Sequence, residues 1–280
     1  MIIQSAIYLA GNKRKLFDNI YPHLSGRSTL IDLFTGSGTV ALNCAAKGEF
    51  KGILANDKLT PLYELHCWLQ RDDLEYDYIE GVNNSYAATK EDYLRLRQDY
   101  NDRQSALKLL LLQYRSNSNM MRWNRDGKFN MTFGERERFD LERIKQHSSL
   151  AKDIKFFNHD FADMLELVKK EYEGKESDVV IYIDSPYFGT TAVYQECGGW
   201  TENDNQTLFE YADYLHDLGF KIVMSNIFSN RGVEHTQIQE WLDGNDRYDV
   251  HHLNIDYSNS SFRKSEHKTD EVLIVSKEGL

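Results

Sequence analysis

The chain has 280 residues, a formal net charge of -11, 41% apolar content and only three prolines. That length allows one large domain or one domain carrying an insertion. No apolar run is long enough to span a membrane and no cleavage-site pattern follows the N-terminal apolar start, so the chain reads as soluble, unprocessed and cytoplasmic. Cys44, Cys67 and Cys197 lack paired spacing, which excludes a disulfide framework and a zinc site. The acidic balance excludes a nonspecific coat on nucleic acid, because Lys and Arg supply most of that affinity.

Near the N-terminus, Tyr8-Leu9-Ala10-Gly11-Asn12-Lys13 precedes a predicted helix over Lys15 to Tyr21, so a Gly-Asn turn presents Lys13 at a helix start. A cation there opposes the helix dipole. An anionic partner, such as a ligand carboxylate, would offset that cost; a solvated Lys is the alternative. Thr29 to Phe34 is an apolar strand ending in Thr35-Gly36-Ser37-Gly38, and Thr39 to Ala46 reads as a helix with small residues facing a sheet. Gly36 and Gly38 permit close backbone approach, and the helix start favours a polar ligand. The third glycine of a dinucleotide fingerprint is missing, so the turn suits a nucleoside without phosphates, such as S-adenosylmethionine, better than a pyrophosphate. A second strand, Gly52 to Ala55, ends at Asn56-Asp57, where an acidic residue meets ribose hydroxyls in a nucleotide-binding βαβ unit.

Between Pro61 and about Leu150 the strand rhythm stops. Leu94, Leu107 to Leu112, Tyr93, Tyr100 and Tyr114 recur at helical spacing, which predicts a helical insertion. From Arg115 to Lys145 it carries eight basic residues against five acidic ones, a local reversal of the global charge and the expected seat of any polyanion. Within it, Asp126-Gly127 between residues of alternating character is a hairpin signal.

Phe156-Phe157 reads as a third strand, Val179 to Ile183 as a fourth and Phe220 to Ser225 as a fifth, the last after an amphipathic helix over Asn203 to Leu218. Strands alternating with helices imply a mostly parallel sheet covered on both faces. Tyr248 to Ile255 and Glu271 to Val275 flank a polar loop and predict a closing antiparallel hairpin. The fourth strand runs into Asp184-Ser185-Pro186-Tyr187. Pro186 has no amide hydrogen and holds Ser185 extended, leaving the carbonyls of Asp184 and Ser185 free to accept. A carboxylate, a free carbonyl and the Tyr187 ring together suit an amino-bearing base. An ordinary strand ending in a proline turn is the plainer account of these four residues alone.

The segments A-G-N-K-R-K-L at 10–16, D-L-F-T-G-S-G at 32–38, A-N-D at 55–57, S-N-M-M-R-W-N at 118–124, F-G-E-R at 133–136 and D-S-P-Y at 184–187 together resemble the Dam-type DNA adenine methyltransferases, especially the bacteriophage branch. Their order is that of the alpha group, with target recognition inserted between the cofactor and catalytic motifs. The resemblance implies a Rossmann-like α/β methyltransferase sheet of about seven strands. Its catalytic domain would comprise residues 1–60 and 151–280, and its target-recognition insertion 61–150. It implies S-adenosylmethionine held by Tyr8 or Leu9, Lys13, Asp32, Phe34, Gly36, Gly38, Asp57, Asp160, Phe161 and Asp184, with Asp57 on the ribose. Asp184, Ser185, Pro186 and Tyr187 would act on a flipped adenine in a GATC-like site.

The same resemblance assigns double-stranded DNA to the insertion. Arg136 would read guanine, Arg122 would enter the opened duplex, and Ser118, Asn119 and Asn124 would lie beside it. Arg115, Lys128 and Arg138 would sit on phosphates, and Arg263 in the polar loop 258–264 near the flipped base. No metal and no membrane are expected, and the chain is expected to be a monomer or weak dimer. Cys197 does not resemble the Pro-Cys nucleophile of cytosine-carbon methyltransferases. The family usually has Asp-Pro-Pro-Tyr, and Ser185 departs from it. Since that position works through its main-chain carbonyl, activity is expected to survive. A DNA-binding protein that has lost catalysis, or a methyltransferase acting on RNA or protein glutamine, are the competing readings.

Overall fold

The structure is a computed structural model that describes residues 2–135, 138–187, 199–230, 233–253 and 269–278. Arg136, Cys197 and Arg263, with the polar loop 258–264, lie outside the described residues.

A short 3-10 turn (Lys13–Lys15) leads into α1 (Phe17–Leu24), followed by β1 (Thr29–Asp32), α2 (Thr39–Lys47) and β2 (Gly52–Asn56). Five helices follow: α3 (Thr60–Leu69), α4 (Tyr76–Asn84), α5 (Lys90–Asp102), α6 (Ala106–Arg115) and α7 (Leu141–Ala151). The strand rhythm then resumes with β3 (Ile154–Phe157), α8 (Phe161–Glu171), β4 (Val179–Ile183), α9 (Glu202–Asp217) and β5 (Lys221–Asn230). The short β6 (Val233–Glu234), α10 (Thr236–Leu242), β7 (Tyr248–Leu253) and β8 (Asp270–Ser276) complete it.

The sheet runs β3-β2-β1-β4-β5-β8-β7, with β6 paired to β5. The first five strands of that order are parallel, and β8 enters antiparallel between β5 and β7. The closing hairpin therefore inserts its second strand against the parallel part and leaves β7 at the edge. β6 and α10 had no signal in the sequence.

The inner parallel strands β1, β2 and β4 are buried on both faces, so their side chains divide by period two between two cores. Val179, Ile181 and Ile183 of β4 join Met164, Leu165 and Phe209 from α8 and α9 on one side. Val180 and Tyr182 join Phe17, Ile20 and Leu42 from α1 and α2 on the other. A third cluster gathers Leu62, Leu65, Tyr93, Leu96, Leu109 to Leu112, Trp123 and Ile144 from the helical segment, together with Ala6 and Ile7. This segment is not detached from the sheet, because α7 packs on α2 and α3 packs on β3 and α7. Among the described residues no helix is long and apolar enough to cross a membrane.

Candidate active site

The chain builds outward from β1 in one direction with β2 and β3, and in the other with β4 and β5. The carboxyl ends of β1 and β4 are therefore the switch point of the sheet, where its parallel architecture leaves a crevice. From β1 the chain enters the glycine turn. Thr35 Oγ1 donates to Asp32 Oδ2 (3.0 Å), and the Gly36 amide donates to Asp57 Oδ2 (3.0 Å) at the end of β2. Asp57 Oδ1 accepts from Leu59 N (2.8 Å). Gly38 has φ +75°, and a Cβ there would lie 2.8 Å from His66 Cε1, so both backbone and packing require glycine.

Burial pushes the Asp32 carboxyl up to about 7, against the bond from Thr35. Burial likewise pushes Asp57 up to about 6, against its two backbone amides. With Asp160 at the end of β3, three adjacent strands present carboxylates along one edge. Asp160 caps α8 through Ala162 N (3.1 Å) and pairs with Lys58 (2.7 Å).

Across the switch point Lys13 Nζ meets Asp184 Oδ1 at 2.7 Å and also donates to the Gly11 carbonyl (3.1 Å). The anion expected beside Lys13 is thus supplied by the chain itself. Burial works to lower the Lys13 ammonium, yet Asp184, Tyr187 and Tyr182 outweigh it and hold it well above its ordinary value. Burial also raises the Asp184 carboxyl, and Lys13 offsets part of that rise. The Tyr187 hydroxyl lies 3.4 Å from the same Oδ1, and Lys13 Nζ stands 5.4 Å from the Tyr187 ring centre. No hydrogen bond from a described residue reaches Asp184 Oδ2. Ser185 is buried and its hydroxyl has no partner, while Pro186 and Tyr187 are half-buried.

Leu9, and not Tyr8, packs on the glycine turn: its Cδ1 is 3.6 Å from the position of a Gly36 Cβ. The Tyr8 ring instead faces Arg143 (4.1 Å) and Arg138 (5.8 Å). Phe34 and Phe161 lie in one aromatic group with Trp200, at centroid distances of 5.4 to 5.9 Å. The structure therefore brings Leu9, Lys13, Asp32, Phe34, Gly36, Gly38, Asp57, Asp160, Phe161 and Asp184 to the same edge of the sheet, and sets Tyr8 aside. Trp200, His66 and Arg143 had no signal of their own, since a single aromatic or histidine in a helical pattern is ordinarily core.

In the insertion, Trp123 and Phe129 bridge antiparallel around Gly127, as the Asp126-Gly127 signal predicts. Arg122 and Lys128 are exposed on this hairpin, and Arg122 Nε donates to Asn130 Oδ1 (2.8 Å). Asn124 Oδ1 accepts from the amides of Asp126 and Lys128, so this side chain shapes the turn itself. Ser118 and Asn119 sit in a left-handed turn after α6, Ser118 exposed and Asn119 tied to the carbonyls of Gln113 and Tyr114. Gly134 holds the next segment against that turn, since a Cβ there would fall 2.5 Å from the Ser116 carbonyl oxygen. Arg138 is exposed.

Arg115 is a correction. It was expected on a phosphate, yet it is wholly buried, donating to the carbonyls of Leu111, Asn83 and Tyr86 and to Asn83 Oδ1 (2.8 Å). The basic count of the segment did not distinguish an Arg on the apolar stripe of α6 from one on its surface.

The model of the D12 class N6 adenine-specific DNA methyltransferases matches residues 9–256. The chain is 27% identical to the type II methyltransferase M.FokI of Planomicrobium okeanokoites, covering 97% of this chain and 42% of that protein. It is 25% identical to the modification methylase StsI of Streptococcus sanguinis, covering 99% and 43%. It is also 25% identical to the DNA adenine methylase of Escherichia coli K12, covering 97% and 94%. The chain thus spans less than half the length of the first two relatives and nearly all of the third. A putative SAM-dependent methyltransferase from Streptococcus mutans is similar among solved structures, with a TM-score of 0.43 at 12% identity, covering 98% of this chain and 50% of that one. With the glycine turn, the carboxylates of β1 and β2 and Asp184 all inside the matched span, the chain belongs to the D12 class N6 adenine-specific DNA methyltransferases.

Proposed function

We propose that this chain is a site-specific DNA methyltransferase that moves a methyl group from S-adenosylmethionine to the exocyclic N6 amine of an adenine swung out of duplex DNA. The observation that carries the reading is Asp184 at the switch point, with Oδ1 held by Lys13 at 2.7 Å and no hydrogen bond from a described residue to Oδ2, which would accept from the substrate amine.

The donor set fits the cofactor. Carboxylates at the ends of three adjacent strands suit an ammonium and ribose hydroxyls, and the Phe34, Phe161 and Trp200 group suits a purine face. Asp57 retains acceptor capacity beyond its two backbone amides, because a carboxylate offers about four lone-pair sites. When bound, S-adenosylmethionine supplies an electrophilic methyl group.

The chain's own residues prepare the amine. Extruding an adenine costs a few kcal/mol of unpairing and unstacking, part of which stacking on Tyr187 would offset. The Asp184 carboxylate and the Ser185 carbonyl would accept hydrogen bonds from N6, drawing it toward tetrahedral geometry and aiming its lone pair. That contribution is orientation and electrostatics, and Lys13 keeps the carboxylate in place for it.

Exposed Arg122, Lys128 and Arg138 would face the duplex. Arg14, Arg138 and Arg143 also line a polar cleft of about 260 Å³ beside Tyr8 and Thr39, a setting for a backbone phosphate within an acidic chain. The recognition sequence is read as GATC-like.

The test is to map methyladenine in the genome of cells lacking other adenine methyltransferases and expressing the chain. Methyl marks at a short fixed sequence are expected, with loss of at least about a thousandfold in transfer for Asp184→Ala. Marks that persist in that variant would overturn the catalytic assignment. Marks at another sequence would overturn the GATC-like site alone.

A further inference from the structure

Two buried histidines, on the first and last helices of the insertion, flank the glycine turn: His66 touches it directly and His147 reaches it through the Ser5–Ala6 backbone. His66, on α3, lies with Nε2 2.9 Å from the Gly36 carbonyl oxygen and its ring stacked on Phe156 (4.7 Å, 14°). His147, on α7, lies with Nδ1 3.2 Å from the Ala6 amide and 3.2 Å from Ser5 Oγ. Ser5 Oγ spends its one hydrogen on the Ser37 carbonyl (2.5 Å), so His147 is joined to the turn through the Ala6 amide and the Ser5–Ala6 backbone and not through a hydrogen bond to that hydroxyl. Consecutive carbonyls of the turn are thus held from two directions, while the Gly36 amide is held by Asp57.

The backbone partners fix the protons. A carbonyl can only accept, so His66 carries its hydrogen on Nε2; an amide can only donate, so His147 Nδ1 is bare and its hydrogen is on Nε2. The remaining atoms are His66 Nδ1, an acceptor, and His147 Nε2–H, a donor. Both are buried without a hydrogen-bond partner, on rings whose centres lie 5.5 Å apart. They are complementary. Burial favours the neutral form of both rings, lowering His66 to about 4 and holding His147 well below its ordinary value.

We propose that His66 and His147 are positioning residues: a neutral pair, each locked with its hydrogen on Nε2, that fixes the glycine turn and ties it to α3 and α7. The inference rests on the proposed function for its consequence, that the cofactor-holding turn is linked to the helices bracketing the DNA-reading segment.

Two variants separate positioning from bulk. His66→Phe keeps the stack on Phe156 but removes the donor; His66→Gln keeps an amide donor at the reach of Nε2. In the ligand-free protein at pH 7, nitrogen NMR of the imidazoles is expected to show both rings neutral and protonated on Nε2. Amide exchange over residues 36–42 is expected to speed up about tenfold in His66→Phe and to stay within about threefold of the unchanged protein in His66→Gln. S-adenosylmethionine affinity should follow the same order, about tenfold weaker in His66→Phe, with similar urea midpoints for the two variants.

A protonated ring or a hydrogen on Nδ1 at either histidine overturns the proposal, as does equal exchange in the two variants. Failure of the unchanged protein to bind S-adenosylmethionine, with the NMR and exchange results as expected, would instead remove the proposed function and leave the pair standing.

Discussion

Lys13 and Arg115 are both buried cations, one at the strand ends and one inside the helical insertion, and their described hydrogen-bond partners differ. Among the described residues, Arg115 donates to three backbone carbonyls and one side-chain amide oxygen, drawn from α4, the loop after it and its own helix. Lys13 meets one oxygen of a carboxylate whose second oxygen accepts no hydrogen bond from a described residue. A buried cation answered by carbonyls joins elements of the fold. One answered by a carboxylate at a switch point would, on the proposed function, hold that carboxylate in place for a substrate.

The comparison breaks most visibly at Arg115. Hydrogen bonds to charged groups contribute about 1.5–3 kcal/mol each, and orphaned buried carbonyls add a desolvation cost. Arg115→Met is therefore expected to lower stability by about 3 kcal/mol in urea unfolding. A loss below about 0.5 kcal/mol would show that Arg115 is not structural. Lys13→Met should do the reverse, reducing methyl transfer about a hundredfold while shifting the urea midpoint less than Arg115→Met does. Equal stability losses would erase the distinction drawn between the two cations.

The same contrast explains what could be read in advance. The strands, the glycine turn and Asp57 were legible because period-two burial and special backbone angles leave marks in a few adjacent residues. The antiparallel hairpin was legible as a pair, but the insertion of β8 between β5 and β7 was not, since register depends on partners distant in the chain. Lys13 was visible as a cation in an unfavourable place, though its partner Asp184, 171 positions away, was not. Arg115 was misplaced because charge counts carry no information about which side of α6 a residue occupies. His66 and His147 were invisible for the same reason: a lone histidine on a helix acquires meaning only from what packs on it.

Asp32 sharpens the comparison through pH. Its folded value, about 7, lies above the ordinary 3.8, so the folded protein binds the proton more tightly than the unfolded chain. The stability this gives is full below about pH 4 and is lost as pH rises through about 7. Asp32→Asn removes that dependence. Relative to the unchanged protein, the variant should gain on the order of 2 kcal/mol between pH 5 and pH 8. If the difference between the two proteins is flat over that range, the Asp32 carboxyl is not raised in the folded protein.

The smallest effect is expected at the motif's one departure from the family pattern. Ser185 is 3% exposed and its hydroxyl, buried without a partner, carries a desolvation cost with no hydrogen bond in return. On the proposed function the site would use the main-chain carbonyl at this position, and that survives in proline. Ser185→Pro would also bias Asp184 toward extended backbone, the conformation a strand end already favours. Methyl transfer is expected to change by less than about threefold, and stability to stay level or rise by about 1 kcal/mol. A fall of tenfold or more would mean that the hydroxyl, or the freedom of the Asp184–Ser185 peptide, takes part in holding the amine. The carbonyl account of this motif would then have to yield to one in which the side chain acts.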